Sequence, residues 1–253
     1  MFAYFMFRPA TKFVPELSAF QVAYNSGYRH AEFWLSQELL EDWSSIVSMA
    51  ADFPMEYALH FPNRGEFDQQ ALQNVVSLYQ ALECSALVIH QPMFDLYGQQ
   101  LFEIDANLRL GIENHDLETD SEFRQWAENS KWLTLDVEHL WIYTVKDGSL
   151  KKLMRYLEQF LTDYHQKLVH VHLPGYLPGY KVHRPQYCSR KMVMQTFTKL
   201  AEFDFQGLIV SETASKYQNP EELQMDVLLY RLWQRCYAEQ LPSDDSSVNL
   251  MEV

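Results

Sequence analysis

Six side chains of the kind that bind metal ions stand between residues 60 and 212, each directly after a short apolar run. In Leu133-Thr-Leu-Asp-Val-Glu-His139, alternating apolar residues typical of a buried strand lead to Asp136, and His139 follows three positions later. A carboxylate at a strand end with an imidazole just beyond it suits a divalent ion. Because a short Asp-x-x-His pattern often occurs by chance, the metal prediction depends on recurrence. The six candidate ligands are His60, His90, Glu113, Asp136, His172 and Glu212.

These residue types also limit the cofactor. Imidazoles and carboxylates without a thiolate suit Zn, Mn, Fe, Co, Ni or Mg, and leave the choice among them open. A carboxylate such as Glu113 is of the kind that bridges two ions about 4 Å apart. We therefore expect one or two divalent ions.

The segments that must position these side chains alternate between strand and helix patterns. Eight such units in about 250 residues predict a single α/β domain of the (β/α)8 TIM-barrel class over residues 1–241, followed by a flexible acidic tail over 242–253. In such a barrel the carboxyl ends of the strands meet at one rim, so ligands distant in sequence converge there. The predicted strands are 2–7, 28–35, 55–60, 86–90, 109–113, 132–136, 167–172 and 207–212. The predicted helices are 14–27, 36–51, 69–83, 96–106, 119–128, 150–165, 191–203 and 220–239.

Composition excludes several classes of function. The formal net charge of −14 repels phosphate backbones, and no Lys/Arg cluster counters it, so nucleic acid is not an expected partner. Three scattered cysteines without a Cys-x-x-Cys favour a reducing compartment, and neither a signal peptide nor a membrane span is recognisable. We expect a cytoplasmic protein outside the membrane. The oligomeric state stays open, a homodimer included.

Six short phrases resemble the xylose isomerase-like barrel superfamily, over about residues 55 to 215. That superfamily includes sugar and sugar-phosphate isomerases and epimerases, and apurinic endonucleases of the endonuclease IV type. Each phrase alone has low specificity, but their order and spacing together are fairly specific. The phrases are Leu-His-Phe-Pro (59–62), Ile-His-Gln-Pro (89–92), Gly-Ile-Glu-Asn (111–114), Leu-Asp-Val-Glu-His (135–139), His-Val-His-Leu (170–173) and Val-Ser-Glu-Thr (210–213).

The resemblance implies two metal sites that share Glu113. One would use His60, His90 and Glu113, and the other would use Glu113, Asp136, His172 and Glu212. In the epimerases the two glutamates also move protons, which makes Glu113 and Glu212 the candidate catalytic pair. Proton removal beside a carbonyl needs bases on opposite faces of the carbon and a cation at the oxygen where negative charge develops.

The same resemblance supports a second hypothesis, a zinc-dependent phosphodiesterase of the endonuclease IV kind. The third zinc of that family would have His139 and His183 as its ligands in this sequence. Lys181 stands where the family has an aspartate ligand, and the positively charged lysine cannot bind a metal ion. A non-catalytic barrel that binds a ligand is the third alternative. The leading prediction is a metal-dependent isomerase or epimerase with a small sugar-like substrate.

Four further residues are candidate substrate contacts. They are His139, Lys181, His183 and Arg8, the last at the end of the predicted first strand; each could also be an ordinary loop or surface residue. Lys181 and His183 lie in a long loop over 174–189, which could be a lid over the site or a packed surface excursion. His170 is predicted to be a hydrogen-bonded core histidine, because a strand places it one layer below His172.

Overall fold

Eight short strands run parallel, pair in chain order, and close into a barrel because the last strand also pairs with the first. The computed structural model describes residues 7–180 and 182–240, so the predicted tail over 242–253 lies outside the described part. The closed parallel barrel confirms the predicted fold class. The strands are β1 (Arg8–Phe13), β2 (His30–Trp34), β3 (Glu56–His60), β4 (Leu87–His90), β5 (Leu110–Glu113), β6 (Trp132–Asp136), β7 (Leu168–His172) and β8 (Leu208–Val210).

Amphipathic helices cover the outside of the barrel. The helices are α1 (Leu17–Asn25), α2 (Gln37–Glu41), α3 (Trp43–Ala50), α4 (Gln69–Ala81), α5 (Gln91–Ile104), α6 (Asp120–Asn129), α7 (Val137–His139), α8 (Leu150–Tyr164), α9 (Arg190–Glu202) and α10 (Pro220–Gln240). α8, for example, buries Leu153, Leu157 and Phe160 on one face, and the Ser149 hydroxyl accepts a hydrogen bond from the Lys152 N–H at its start. No helix in the described ranges is long and apolar enough to cross a membrane.

The predicted position of the first strand is wrong. Residues 2–6 lie outside the described part, and the strand that closes the barrel is β1, which begins at Arg8. Pro9 and Lys12 obscured it, because a proline lacks the N–H that a strand ladder uses and a lysine usually indicates solvent. Arg8 therefore lies at the amino-terminal end of the barrel, where it forms an ion pair with Glu56, the first residue of β3.

Two helix boundaries also differ from prediction. The helix expected over 36–51 is two helices, α2 and α3, because the backbone leaves the helical region at Asp42. α5 begins at Gln91 rather than near residue 96. Pro92 lies in its first turn, where the missing N–H has no intrahelical partner to lose.

The barrel interior has an apolar lower layer and a polar upper layer. Ala10, Ala58, Ala86, Leu208 and Val210 form a buried cluster. Lys12 lies two residues beyond Ala10, and His60 lies two residues beyond Ala58. Because side chains alternate along a strand, both face the same interior nearer the carboxyl-terminal rim. The polar layer is therefore continuous with that rim.

Candidate metal centre

The last residues of five consecutive strands carry five of the six predicted ligands. His60, His90, Glu113, Asp136 and His172 end β3 to β7, and Glu212 lies two residues after β8. Parallel pairing places all six at the same rim, although they span more than 150 positions of the sequence. Except for His90 and Glu212, which are partly exposed, they are almost fully buried.

Three of the predicted carboxylate ligands lie around one imidazole nitrogen. The Nδ1 atom of His172 lies 3.1 Å from Glu212 Oε2, 3.4 Å from Glu113 Oε2 and 3.9 Å from Asp136 Oδ2. Ligand atoms about 2.1 Å from one ion are separated from each other by roughly 3 to 3.5 Å. Glu113, Asp136 and His172 offer ligand atoms that all lie within 4.8 Å of one another, so these three suit one divalent ion, and Glu212 approaches the same imidazole nitrogen.

A second group shares the same glutamate. The Nε2 atoms of His60 and His90 each lie 3.2 Å from Glu113 Oε2. The Nδ1–H of His60 donates to the Phe61 carbonyl at 2.8 Å, which leaves Nε2 with its lone pair directed at the site. Burial lowers the pKa of His60, and the nearby Lys12 ammonium lowers it further, so the ring is neutral and able to bind a metal ion at neutral pH.

Buried polar atoms without hydrogen-bond partners indicate that the inner group, formed by Glu113, Asp136, His172 and Glu212, suits a cation. Asp136 Oδ2, His172 Nδ1 and Glu212 Oε2 are buried and have no hydrogen-bond partner. Such atoms are costly in a folded interior, and ligation to an ion would satisfy them. The donor set of one imidazole and three carboxylates matches the metals expected from the sequence.

The pKa shifts within the cluster also favour a bound cation. Burial alone lowers the pKa of His172, but Glu212 and Glu32 outweigh it and raise that pKa well above its ordinary value. Burial and the Glu113 carboxylate raise the pKa of Asp136, although His139 opposes the shift. Among the described residues, Lys12 is the one lysine or arginine that forms ion pairs within this cluster, with Glu32 and with Glu212. The excess negative charge is the kind that a bound divalent ion neutralises.

Three residues of the site were not predicted from the sequence. Lys12 and Glu32 lie next to each other on β1 and β2 and are buried beneath the metal-ligand group. Asn114 pairs with Asp136 by two bonds: its Nδ2 donates to the Asp136 carbonyl, and its Oδ1 accepts from the Asp136 N–H. None of the three carried a decisive signal, since a charged or polar residue within or beside a strand segment has the same local pattern whether its side chain is buried or exposed.

Of the predicted substrate contacts, His139 and His183 lie at the site and Arg8 does not. The Nδ1 of His139 lies 3.3 Å from Glu113 Oε1, at the edge of the site. The Nδ1–H of His183 donates to the Glu212 carbonyl at 3.1 Å, and its Nε2 lies 3.5 Å from the buried Glu138 carboxylate. Lys181 lies outside the described residues. Arg8 lies at the opposite end of the barrel and does not reach the site.

An open cavity of about 320 Å³ adjoins the metal-ligand group. Its lining residues include Lys12, Trp34, His183, Glu212 and Gln218, and Trp34 is 46% exposed. This volume is within the range of small-molecule sites. Glu212 therefore borders both the candidate ion position and a space that can hold a small ligand.

Comparison with known proteins gives structural matches but no sequence matches. No protein-family model and no curated protein sequence matches this chain. A D-tagatose 3-epimerase-like protein superposes with a TM-score of 0.66 and 13% identity, over 93% of this chain and 100% of the other. D-Allulose 3-epimerase from Methylomonas sp., solved in complex with D-allulose, matches with a TM-score of 0.56 and 16% identity, over 89% and 90% of the two chains.

A hydrolase has the same fold at a similar level of similarity. Endonuclease IV from Thermus thermophilus matches with a TM-score of 0.57 and 15% identity, over 90% of this chain and 99% of that one. At these identities the matches define the fold and not the activity. The chain therefore has a (β/α)8 barrel fold similar to that of these sugar epimerases and of endonuclease IV.

Proposed function

We propose that this protein is a divalent-metal-dependent isomerase or epimerase acting on a sugar, a sugar phosphate or a related polyhydroxy carbonyl compound. The main support is the placement of Glu113, Asp136 and Glu212 around the buried Nδ1 atom of His172. The neighbouring cavity and the structural similarity to epimerases, one of them bound to D-allulose, agree with this proposal.

In the proposed reaction Glu113 and Glu212 move the protons. Burial raises the pKa of each carboxyl, but His172 beside both outweighs burial and holds both pKa values well below the ordinary range. Both groups are therefore ionised at neutral pH, the form that a general base needs. Glu212 borders the cavity directly, and its Oε1 accepts a hydrogen bond from Lys12 at 2.5 Å.

The four converging side chains would hold the ion, which when bound polarises the substrate carbonyl and hydroxyl. Hydrogen bonds between Asn114 and the Asp136 backbone fix the end of β6 beside the ion position. His139 and His183, at the edge of the site, are placed to donate or accept hydrogen bonds with substrate hydroxyls. Such a substrate would lie between Glu212 and the open side of the cavity.

The test is proton exchange at carbon with matched variants. Purified protein loaded with Mn²⁺ or Co²⁺ is incubated in D₂O with a panel of ketoses, aldoses and their phosphates, and NMR follows epimerisation and deuterium incorporation. We expect at least one compound to exchange. E212Q should fold normally but lose at least about 100-fold in turnover, the size of a general acid–base contribution, whereas E66Q, at an exposed loop residue, should match the parent. Full activity in E212Q on an identified substrate would remove that role.

The group His60, His90 and Glu113 supports a second candidate function, a phosphodiesterase of the endonuclease IV kind. Two ions sharing a carboxylate are common in phosphate-ester hydrolysis. The net charge of −14 opposes binding to a nucleic-acid backbone. Incubation with an abasic-site duplex and zinc decides between the two: clean incision favours the hydrolase, and no binding at low salt excludes it.

A further inference from the structure

Beneath the candidate metal ligands lies a buried layer of ionisable side chains. Lys12, Glu32 and His170 form this layer, and each is no more than 2% exposed. Lys12 and Glu32 are directly paired on neighbouring strands, and His170 lies on β7, two residues before His172. Burying these groups is costly, so their mutual contacts must be specific.

Glu32 contacts three side chains at once. Its Oε2 accepts hydrogen bonds from the Nε2–H of His172 at 3.0 Å and from the Nε2–H of His170 at 2.5 Å. Its Oε1 lies 3.0 Å from the Lys12 ammonium. With the proton of His172 held on Nε2, the nitrogen that faces the other ligands is Nδ1, the atom left without a partner.

Lys12 has a similar effect on Glu212, because it occupies one of the two carboxylate oxygens. Its ammonium binds Oε1 of that carboxylate at 2.5 Å, and Oε2 remains unpartnered and 3.1 Å from His172 Nδ1. A carboxylate with one oxygen bound to an ammonium presents a single oxygen to an ion. The layer formed by Lys12, Glu32 and His170 thus determines one ligand atom on each side of the candidate ion.

We propose that Glu32 and Lys12 are positioning residues that select Nδ1 of His172 and Oε2 of Glu212 as the atoms that bind the ion. Glu32, His170 and His172 are also close enough to hold an ion of their own. The Lys12 ammonium, 3.0 Å from the other oxygen of Glu32, argues against this, because it already neutralises that carboxylate and would repel a second cation beside it. The inference rests on the proposed metal centre but not on any particular substrate.

The test measures metal binding and not turnover. Zn²⁺ affinity is determined by competition with a chromophoric chelator, and ions per chain by elemental analysis. Long-range ¹H–¹⁵N NMR of the zinc-loaded protein identifies the bound nitrogen of His172. E32Q should lose about 10- to 100-fold in affinity, the range found for residues that orient metal-bound histidines, and should show His172 bound partly through Nε2 or released.

The double variant K12M/E32Q separates positioning from charge balance. It removes one positive and one negative charge together, so the net charge of the buried layer stays at the parental value. We expect its affinity to remain at least about 10-fold below the parent, because a neutral amide holds the Nε2–H of His172 less strongly than a carboxylate and no ammonium occupies Oε1 of Glu212. D226N, which alters a buried carboxylate outside the barrel interior, is the matched control and should bind Zn²⁺ normally.

Three results would overturn the inference. The first is restoration of parental Zn²⁺ affinity in K12M/E32Q, which would mean that Lys12 and Glu32 only balance each other's charge. The second is unchanged Nδ1 binding by His172 in that folded variant. The third is the loss of one ion per chain in E32Q, which would make Glu32 a ligand. If the parent turns over no sugar but these shifts occur, the inference stands and only the proposed reaction fails.

Discussion

Chelation of divalent ions should destabilise this protein measurably. The inner ligand group places Glu113, Asp136 and Glu212 around one buried imidazole, and three of the facing atoms have no other partner. An ion that binds only the folded state at about 100 times its Kd stabilises that state by about 2.7 kcal/mol. For a domain of this size each kcal/mol shifts Tm by about 2–4 °C, so addition of Mn²⁺ after chelation should raise Tm by about 5–11 °C.

The variant D136N provides the sharper form of this prediction. Burial and the neighbouring Glu113 carboxylate raise the pKa of Asp136, so its ionised form is a cost to the folded state at neutral pH. The amide oxygen that replaces a carboxylate oxygen in D136N can still accept the His139 N–H bond that Asp136 Oδ1 accepts at 2.8 Å. Without ions D136N should therefore have a higher Tm than the parent. With ions the order should reverse, since the amide is a poor metal ligand.

Differential scanning fluorimetry over a Mn²⁺ titration, before and after chelator treatment, measures both effects. E66Q, at an exposed residue, is the matched control and should follow the parent under both conditions. The reasoning is refuted if the parent shows no ion-dependent shift at saturating Mn²⁺. It is also refuted if D136N shows a shift as large as the parent does.

Other predictions concern stability outside the candidate site. Burial raises the pKa of Asp226 from 3.8 to about 7, so the parent loses stability as pH rises from about 4 to 7. D226N should therefore be more stable in urea at pH 8, by up to about 4 kcal/mol, with the difference shrinking toward pH 4. G111A should cost about 1–3 kcal/mol, because its Cβ would lie 2.5 Å from Thr134 Oγ1, and G111A/T134A should recover part of that loss in the same assay. T119A should cost about 1 kcal/mol by removing the capping box with Glu122 at the start of α6, which thermal unfolding can measure.

The barrel was predictable because its signals are local. Alternating apolar residues mark β6, a Ser cap marks α8, and both patterns depend on a few neighbouring residues. The position of β1 was not predictable in this way. A buried lysine inside a strand has the same local pattern as a solvent-exposed one, and only the carboxylates that neutralise Lys12 distinguish them.

The sequence by itself determined the alternation of strands and helices and the placing of an imidazole or carboxylate at six consecutive strand ends. It could do so because side-chain type and strand period depend on neighbouring residues alone. Only the tertiary structure decided which atoms face one another. Glu32 is 140 residues from His172, Lys12 is 200 residues from Glu212, and both pairs exist because β1 closes the barrel between β2 and β8. The position of β1 also places Arg8 away from the rim. The predicted first strand ended beside Arg8, whereas β1 begins there, so Arg8 lies at the amino-terminal end of the barrel and not at the carboxyl-terminal end.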